Sequence, residues 1–586
     1  MLLTVVVGAV YYGVACAAYW PVPPLSSSHI IACACSDAVQ QAWFLQWLPF
    51  ALEHGQNPLF STYLNAPAGA NLGVNTSMPL LGLLGWPVTA SIGSVAAFNF
   101  LLRLGLALSA FSMYLVLRRY VRSRAAAFVG GLLFGFSPYM LGQGRAHVFL
   151  VFLPLLPPLI PLLDRWLIHA DRNPYRCGAL FGLLLGLEML ISVELAAVFA
   201  ILVVIALIPI ALRHHDLVRS RLPALARGLT TAGAAGLLVG GYPAWMFLRG
   251  PQRPDGPPHS VHGLDKYHAD LLSLVLPSRP QLLRPPLLHD VAEQFVRGSI
   301  HENGFYLGVP LLAVLVAGVV WLRRSTLVLS FATLGLVSFV LGLGTQLTVA
   351  NQVTPILLPL AAVARLPALQ EIGPTRFALP IQMAAAVLLA LALDHGLRRS
   401  ALAGIRRTAA VTALSLVAFV PLLPSGLDTS VPYTPSRYFA SRAVEEIPAG
   451  ATVLPYPYAS YSSNVAMVWQ LESRMRFRMP GGEVYVPGPT GSSANYPQGG
   501  LPPALWAVLI QGGPQLTDPW VPPTPAQRGG LVSALRTYVA AHRIDAMVVS
   551  SIGRQGRWVA ALSRSAFGAP TSTHGDIVVW TQLARA

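Results

Sequence analysis

Side chains able to do chemistry are concentrated in a few short polar stretches of a chain that is 54% apolar. GQGRAH presents Arg145 and His147, and PTRF presents Arg376. Arginine's planar fork matches phosphate oxygens, so these positions suit binding of a phosphate. The stretch from Arg249 to Asn303 carries Arg253, Asp255, His259, His262, Asp265, Lys266, His268 and Asp270, and closes on SIHENGFYLG with His301 and Glu302. Cations and imidazoles at this density suit a polar cavity for an anionic headgroup; the plainer reading is a solvated loop. Asp37 opens SDAVQQAWFLQWLPF, where Trp43, Phe44, Trp47 and Phe50 recur at helical spacing. That spacing predicts an amphipathic helix in a membrane interface, rings at headgroup level, holding a lipid substrate near Asp37.

The elements that must position these residues are membrane helices. A hydrocarbon core of about 30 Å needs roughly 20 apolar residues, and eleven spans are expected at about 1–20, 95–117, 125–141, 147–163, 178–191, 193–212, 225–248, 304–322, 326–344, 377–396 and 406–424. Arginines recur at every second gap: 118, 119, 122 and 124; 165, 172 and 176; 213, 219, 221 and 227; 323 and 324; 398, 399, 406 and 407. The positive-inside rule makes these gaps cytoplasmic. The N-terminus then lies inside, and the loops at about 21–94, 249–303 and 345–376 lie outside with everything beyond 425. Residues 78–92 are apolar but hold Pro79 and Pro87, and are expected to be re-entrant or interfacial. Residues 1–20 lack a basic start and a small-x-small site, which favours an uncleaved span over a signal segment.

The net charge of +16 would suggest nucleic acid in a soluble protein, but the gap arginines account for it and exclude that partner. Mean hydropathy is +0.57, as expected of a chain solvated mostly by lipid. A single lysine, Lys266, among 39 basic residues hints at a GC-rich bacterial source. Cys16 and Cys177 fall in or beside spans. Cys33 and Cys35 are too close in sequence for a good internal disulfide, and with His29 alone they do not complete a zinc site. After Pro424, TVLPYPY, DAMVVSS and DIVVWTQL read as strands and LVSALRTYVAAHRI and RWVAALSRSAF as helices. An extracytoplasmic α/β domain with partly parallel strands follows, and a Gly/Pro-rich loop or lid at about 470–530 interrupts it. Dinucleotide, Walker, HExxH and Gly-x-Ser-x-Gly motifs are absent, which argues against soluble-type NTPases, dehydrogenases and hydrolases.

SDAVQQAWFLQWLPFALEHGQNPLFSTYLNAPAGANLGVNTSMPLLG, SPYMLGQGRAHVFLVFLPLLPPLIPLLDRW, ENGFYLGVPLL, PTRFALPIQMAAAVLLALALD and VLPYPY resemble a group of bacterial membrane proteins in the GT-C glycosyltransferase superfamily. The resemblance covers most of the chain. It implies a polytopic α-helical membrane protein, N-terminus in and C-terminus out, with residues 1–424 as the membrane module and 425–586 as the outer domain, in a bacterial cytoplasmic membrane. It implies inverting transfer of a sugar from a polyprenyl-phosphate donor to an envelope glycan, lipid or protein acceptor, with no need for a nucleotide site because the leaving group is a lipid phosphate.

By position, the family's general base falls on Asp37; the second acid that the family often places beside it is Ser36 here. Asp37 also suits a helix N-cap, and a cap and a base are compatible. Glu302 is the candidate second carboxylate. Arg145, His147, Lys266, His301 and Arg376 are candidates for the donor phosphate, and Trp43 and Trp47 for the lipid. A divalent cation, Mg or Mn, serves some members and not others, and this sequence shows no carboxylate cluster that decides it. Transport of a lipid-linked saccharide and noncatalytic glycan binding are the alternative functions.

Overall fold

The computed structural model describes residues 2–32, 37–167, 173–256, 267–284, 302–363, 372–399, 404–425, 430–433, 436–461, 463–495, 497, 499–510 and 520–585. Lys266, His301, Cys33, Cys35 and Ser36 lie outside them, as does most of the charged stretch before Glu302. Among the described residues, five helices are long and apolar enough to cross a membrane: Ser94–Leu117, Arg124–Gln143 (counted across a short break), Val193–Arg213, Val218–Arg249 and Pro374–Arg399. Shorter apolar helices include Leu2–Ala18, Val309–Trp321 and Thr326–Gly342.

The chain forms two compact units. The first joins Met1–Pro24, Asn99–Ala244 and His262–Ser430. Its centre is the helix Ala378–Arg399, buried along nearly its whole length, which packs on Thr326–Gly342, Arg124–Gly135 and Val309–Trp321. Small side chains let these backbones approach closely: a Cβ on Gly130 would stand 2.9 Å from the Ala386 carbonyl. Serines start several helices, the hydroxyls of Ser123, Ser192 and Ser325 accepting from backbone N–H groups in the first turn, as N-caps do.

The span expected at 147–163 is broken. Pro154, Pro157 and Pro158 stop it, leaving Val148–Val151 and Leu159–Leu167 as separate helices. The freed backbone groups find partners on the neighbouring helix. Ser109 Oγ donates to the Val151 carbonyl at 3.0 Å and accepts from Leu153 N at 2.9 Å, and Ser112 Oγ donates to the Pro154 carbonyl at 2.7 Å. Such repair is what lets proline persist at membrane depth.

The second unit joins Leu25–Phe98, Trp245–Val261 and Val431–Ala586. Four strands, β1 (Val453–Tyr456), β2 (Ala546–Ser550), β3 (Ser572–His574) and β4 (Ile577–Trp580), form one sheet in the order β3-β4-β2-β1, with β1 and β2 parallel and the other pairs antiparallel. The partly parallel α/β arrangement expected from the sequence is present, its helices being Pro525–Ala541 and Gly553–Phe567. The apolar stretch near 78–92 is a helix, Pro79–Ser91. At 13 residues it extends only about 20 Å, too short to cross a hydrocarbon core.

Candidate functional site

Glu302 and Arg376 meet within the first unit. Arg376 sits in a tight turn, Pro374–Phe377, ahead of the central buried helix, while Gln382 on that helix donates to the carbonyls of Gly304 at 2.9 Å and Tyr306 at 3.2 Å. This bond pins the extended segment that follows Glu302. Arg376 Nη1 donates to Glu302 Oε2 at 2.7 Å and Nε to Glu194 Oε2 at 3.2 Å. Thr375 Oγ1 at 2.7 Å and Gln143 Nε2 at 3.0 Å also donate to Glu302 Oε2. Burial pushes the Glu302 carboxyl up, but Arg376, His147 and the donated hydrogen bonds outweigh it and hold it at about 2. The arginine is thus engaged by two carboxylates, and His147 faces Glu302 closely enough to help stabilise its charge.

Arg145 is different. It follows the short helix Pro138–Gln143 and is 9% exposed. Among the described residues no carboxylate lies within ion-pair distance of it. Burial pulls its guanidinium below the usual arginine range, with the Tyr19 phenol opposing. The Tyr19 hydroxyl donates to the Gly144 carbonyl at 2.8 Å, and Arg103, fully buried, lies with its guanidinium carbon 5.1 Å from the Tyr19 ring centre. Arg103 Nη1 donates to the Asn99 carbonyl and Nη2 to the Val22 carbonyl. A buried cation without an acid costs several kcal/mol.

Asp37 belongs to the second unit. It is half-buried at the first residue of the helix Asp37–Glu53, where the helix dipole favours a carboxylate. The expectation of rings at headgroup level is corrected here: Trp43 is 0% and Trp47 1% exposed. Their rings stack at 5.5 Å, and Trp43 Nε1 donates to Gln470 Oε1 at 2.8 Å. Gln470, itself fully buried, donates to the carbonyls of Tyr63 and Phe477. The helix is covered by protein because residues 481–485 of the Gly/Pro-rich segment lie on the first loop. Asn65 N donates to the Gly481 carbonyl at 3.1 Å, Tyr485 N donates to Asn75 Oδ1 at 2.7 Å, and Asn75 Nδ2 donates back to the Tyr485 carbonyl at 3.0 Å.

That packing brings an acid the sequence reading missed. Gln40 Nε2 donates to the Glu483 carbonyl at 2.5 Å, and Glu483 is 3% exposed. Tyr461 senses both acids: burial raises its phenol, and Asp37 and Glu483 raise it further. The Glu483 backbone is thus held by the first turn of the Asp37–Glu53 helix. The only sequence signal was an acidic residue set between glycine and valine in PGGEVYVPG. Among the described residues no group of three or more His, Cys, Asp or Glu side chains could hold a metal ion.

Residues 5–367 match the family described as Domain of unknown function (DUF6311). No curated protein matches the chain. Among solved structures, the mycobacterial arabinofuranosyltransferase AftD aligns over 99% of this chain at TM-score 0.51 and 15% identity, and the chain spans 40% of that protein. The Archaeoglobus fulgidus oligosaccharyltransferase aligns at TM-score 0.45 and 13% identity, covering 94% of this chain and 69% of that one. ArnT from Cupriavidus metallidurans aligns at TM-score 0.45 and 10% identity, covering 100% and 98%. The chain therefore belongs to the DUF6311 family and has a GT-C glycosyltransferase fold.

Proposed function

We propose that this protein moves a sugar from a polyprenyl-phosphate donor to a cell-envelope acceptor on the outer face of a bacterial cytoplasmic membrane, within eleven spans that leave the N-terminus inside and residues 425–586 outside. Asp37 takes the proton of the acceptor hydroxyl as that oxygen attacks the anomeric carbon. The bond from that carbon to the lipid phosphate breaks, and the configuration inverts. Arg145, with His147 nearby in sequence, stabilises the departing phosphate, since donors aimed at developing charge lower the barrier. Arg376 and Glu302 pair within the first unit and fix the start of the segment that follows Glu302.

The observation that carries the reading is Arg145: a buried arginine with no carboxylate within ion-pair distance among the described residues. A leaving group that is a lipid phosphate brings the missing charge. The test is transfer by detergent-purified protein from radiolabelled polyprenyl-phosphate sugars to envelope acceptors, with Asp37→Asn and Arg145→Gln in parallel. Wild-type transfer that vanishes in Asp37→Asn while donor binding persists, and donor binding that weakens in Arg145→Gln, support it. A wild type that binds donors but transfers nothing, with both variants binding as tightly, sinks it.

A further inference from the structure

The first unit holds a cavity whose polar end lies at arginines that the sequence pattern assigns to the cytoplasm, and the chemistry proposed above makes no use of it. Its volume is about 770 Å³, within the size range of pockets that bury a small ligand. Phe128, Leu132, Leu416 and Phe419 supply apolar walls, and Arg122 and Arg398 stand in its lining with Asp394. Leu416 is 57% exposed, so the apolar wall is open to whatever surrounds the helices.

Asp394 is the acid of this lining, and its charge is already taken. The N–H groups of Arg122 and Ser123 donate to its Oδ1 at 3.0 and 2.8 Å, and Arg398 Nη2 lies 2.8 Å from Oδ2. Arg122 is exposed, and among the described residues no carboxylate lies within ion-pair distance of its guanidinium. Arg118, Arg119, Arg124 and Arg399 flank the same chain segments. The lining is therefore net cationic at its polar end and apolar along its length. Basic pockets between membrane helices on the cytoplasmic side attract anionic headgroups, and a buried acyl chain adds affinity with every methylene.

We infer that this cavity binds an anionic glycerophospholipid of the cytoplasmic leaflet, its phosphodiester at Arg122 and Arg398 and one acyl chain along Phe128, Leu132 and Leu416. A zwitterionic lipid carries no net charge to match the lining. Arg122 is the positioning group for the headgroup, because it is free of the Asp394 ion pair.

The test uses the full chain in nanodiscs doped with phosphatidylglycerol or phosphatidylcholine, each bearing a diazirine on one acyl chain, followed by photolysis and peptide mapping. Phosphatidylglycerol is expected to label peptides containing Phe128–Leu132 and Leu416–Phe419 well above phosphatidylcholine. Arg122→Gln should reduce that label about fivefold, the effect of roughly one arginine at an anionic membrane surface. Leu416→Trp, which fills the cavity without touching a charge, should reduce it too, while Arg323→Gln, an arginine of the same face outside the lining, should leave it unchanged. Equal labelling by the two lipids, or labelling that survives both Arg122→Gln and Leu416→Trp, overturns the assignment and leaves only ordinary lipid contact.

Discussion

Replacing Arg376 by methionine separates the two roles open to this arginine, phosphate ligand and internal counter-ion. Its guanidinium holds Glu302 at 2.7 Å and Glu194 at 3.2 Å, and none of the three side chains is more than 20% exposed. Burial alone would raise the Glu302 carboxyl, yet it falls from 4.5 to about 2. The surrounding groups therefore favour its charged form by about 3 kcal/mol net. Removing one partner of a buried pair costs about 3–5 kcal/mol because the other charge stays buried. Arg376→Met should accordingly lower the unfolding midpoint of the ligand-free protein in detergent by several degrees. Glu302→Gln should be milder, and Arg376→Met combined with Glu302→Gln should recover part of the loss. The sign with pH follows from a depressed carboxyl. The Glu302 contribution is complete above about 4.5 and is lost as pH falls towards 2. The gap between wild type and Glu302→Gln should thus hold from pH 8 to 5 and close below. An unchanged midpoint for Arg376→Met, with only the affinity for a polyprenyl-phosphate sugar reduced, refutes the counter-ion role.

Asp37→Asn should lower transfer by about 10²–10⁴-fold, the range for losing a general base, with donor affinity unchanged in a titration. Arg145→Met should raise the ligand-free midpoint, because an uncompensated buried cation is gone, while abolishing the extra stability that donor confers on wild type; a lower midpoint without donor would show that Arg145 already has its anion. Glu472 is pushed by burial up to about 7, with the Ser436 N–H bond opposing. A raised carboxyl contributes fully below its unfolded value and loses that contribution as pH rises through about 7, so Glu472→Gln should stabilise the protein at pH 8.5 and change little at pH 5. Equal effects at both values would refute it. Gln470→Leu should strip partners from Trp43 Nε1 and from the carbonyls of Tyr63 and Phe477 and destabilise by about 2–5 kcal/mol, seen as a lower unfolding midpoint.

What the sequence could show depended on how far apart the interacting residues lie. The α/β sheet was legible because β1, β2 and β4 are short apolar runs separated by helical ones, and local periodicity carries that information. The helix at Asp37–Glu53 was legible as a helix, but not in its surroundings. An apolar ring facing lipid and one facing protein read alike in a chain this apolar, and only Gln470, 427 residues away, tells them apart. The break in the span at 147–163 was written in Pro154, Pro157 and Pro158; what made it tolerable was written in Ser109 and Ser112, on a different helix. Glu483 follows the same logic more sharply. Its contact with Gln40 bridges 443 residues, and its segment has neither strand nor helix period to announce a buried side chain. The residue before Asp37 is Ser36, and nothing near it in sequence points to Glu483. A contact to a helix start from so far along the chain leaves no local pattern to read.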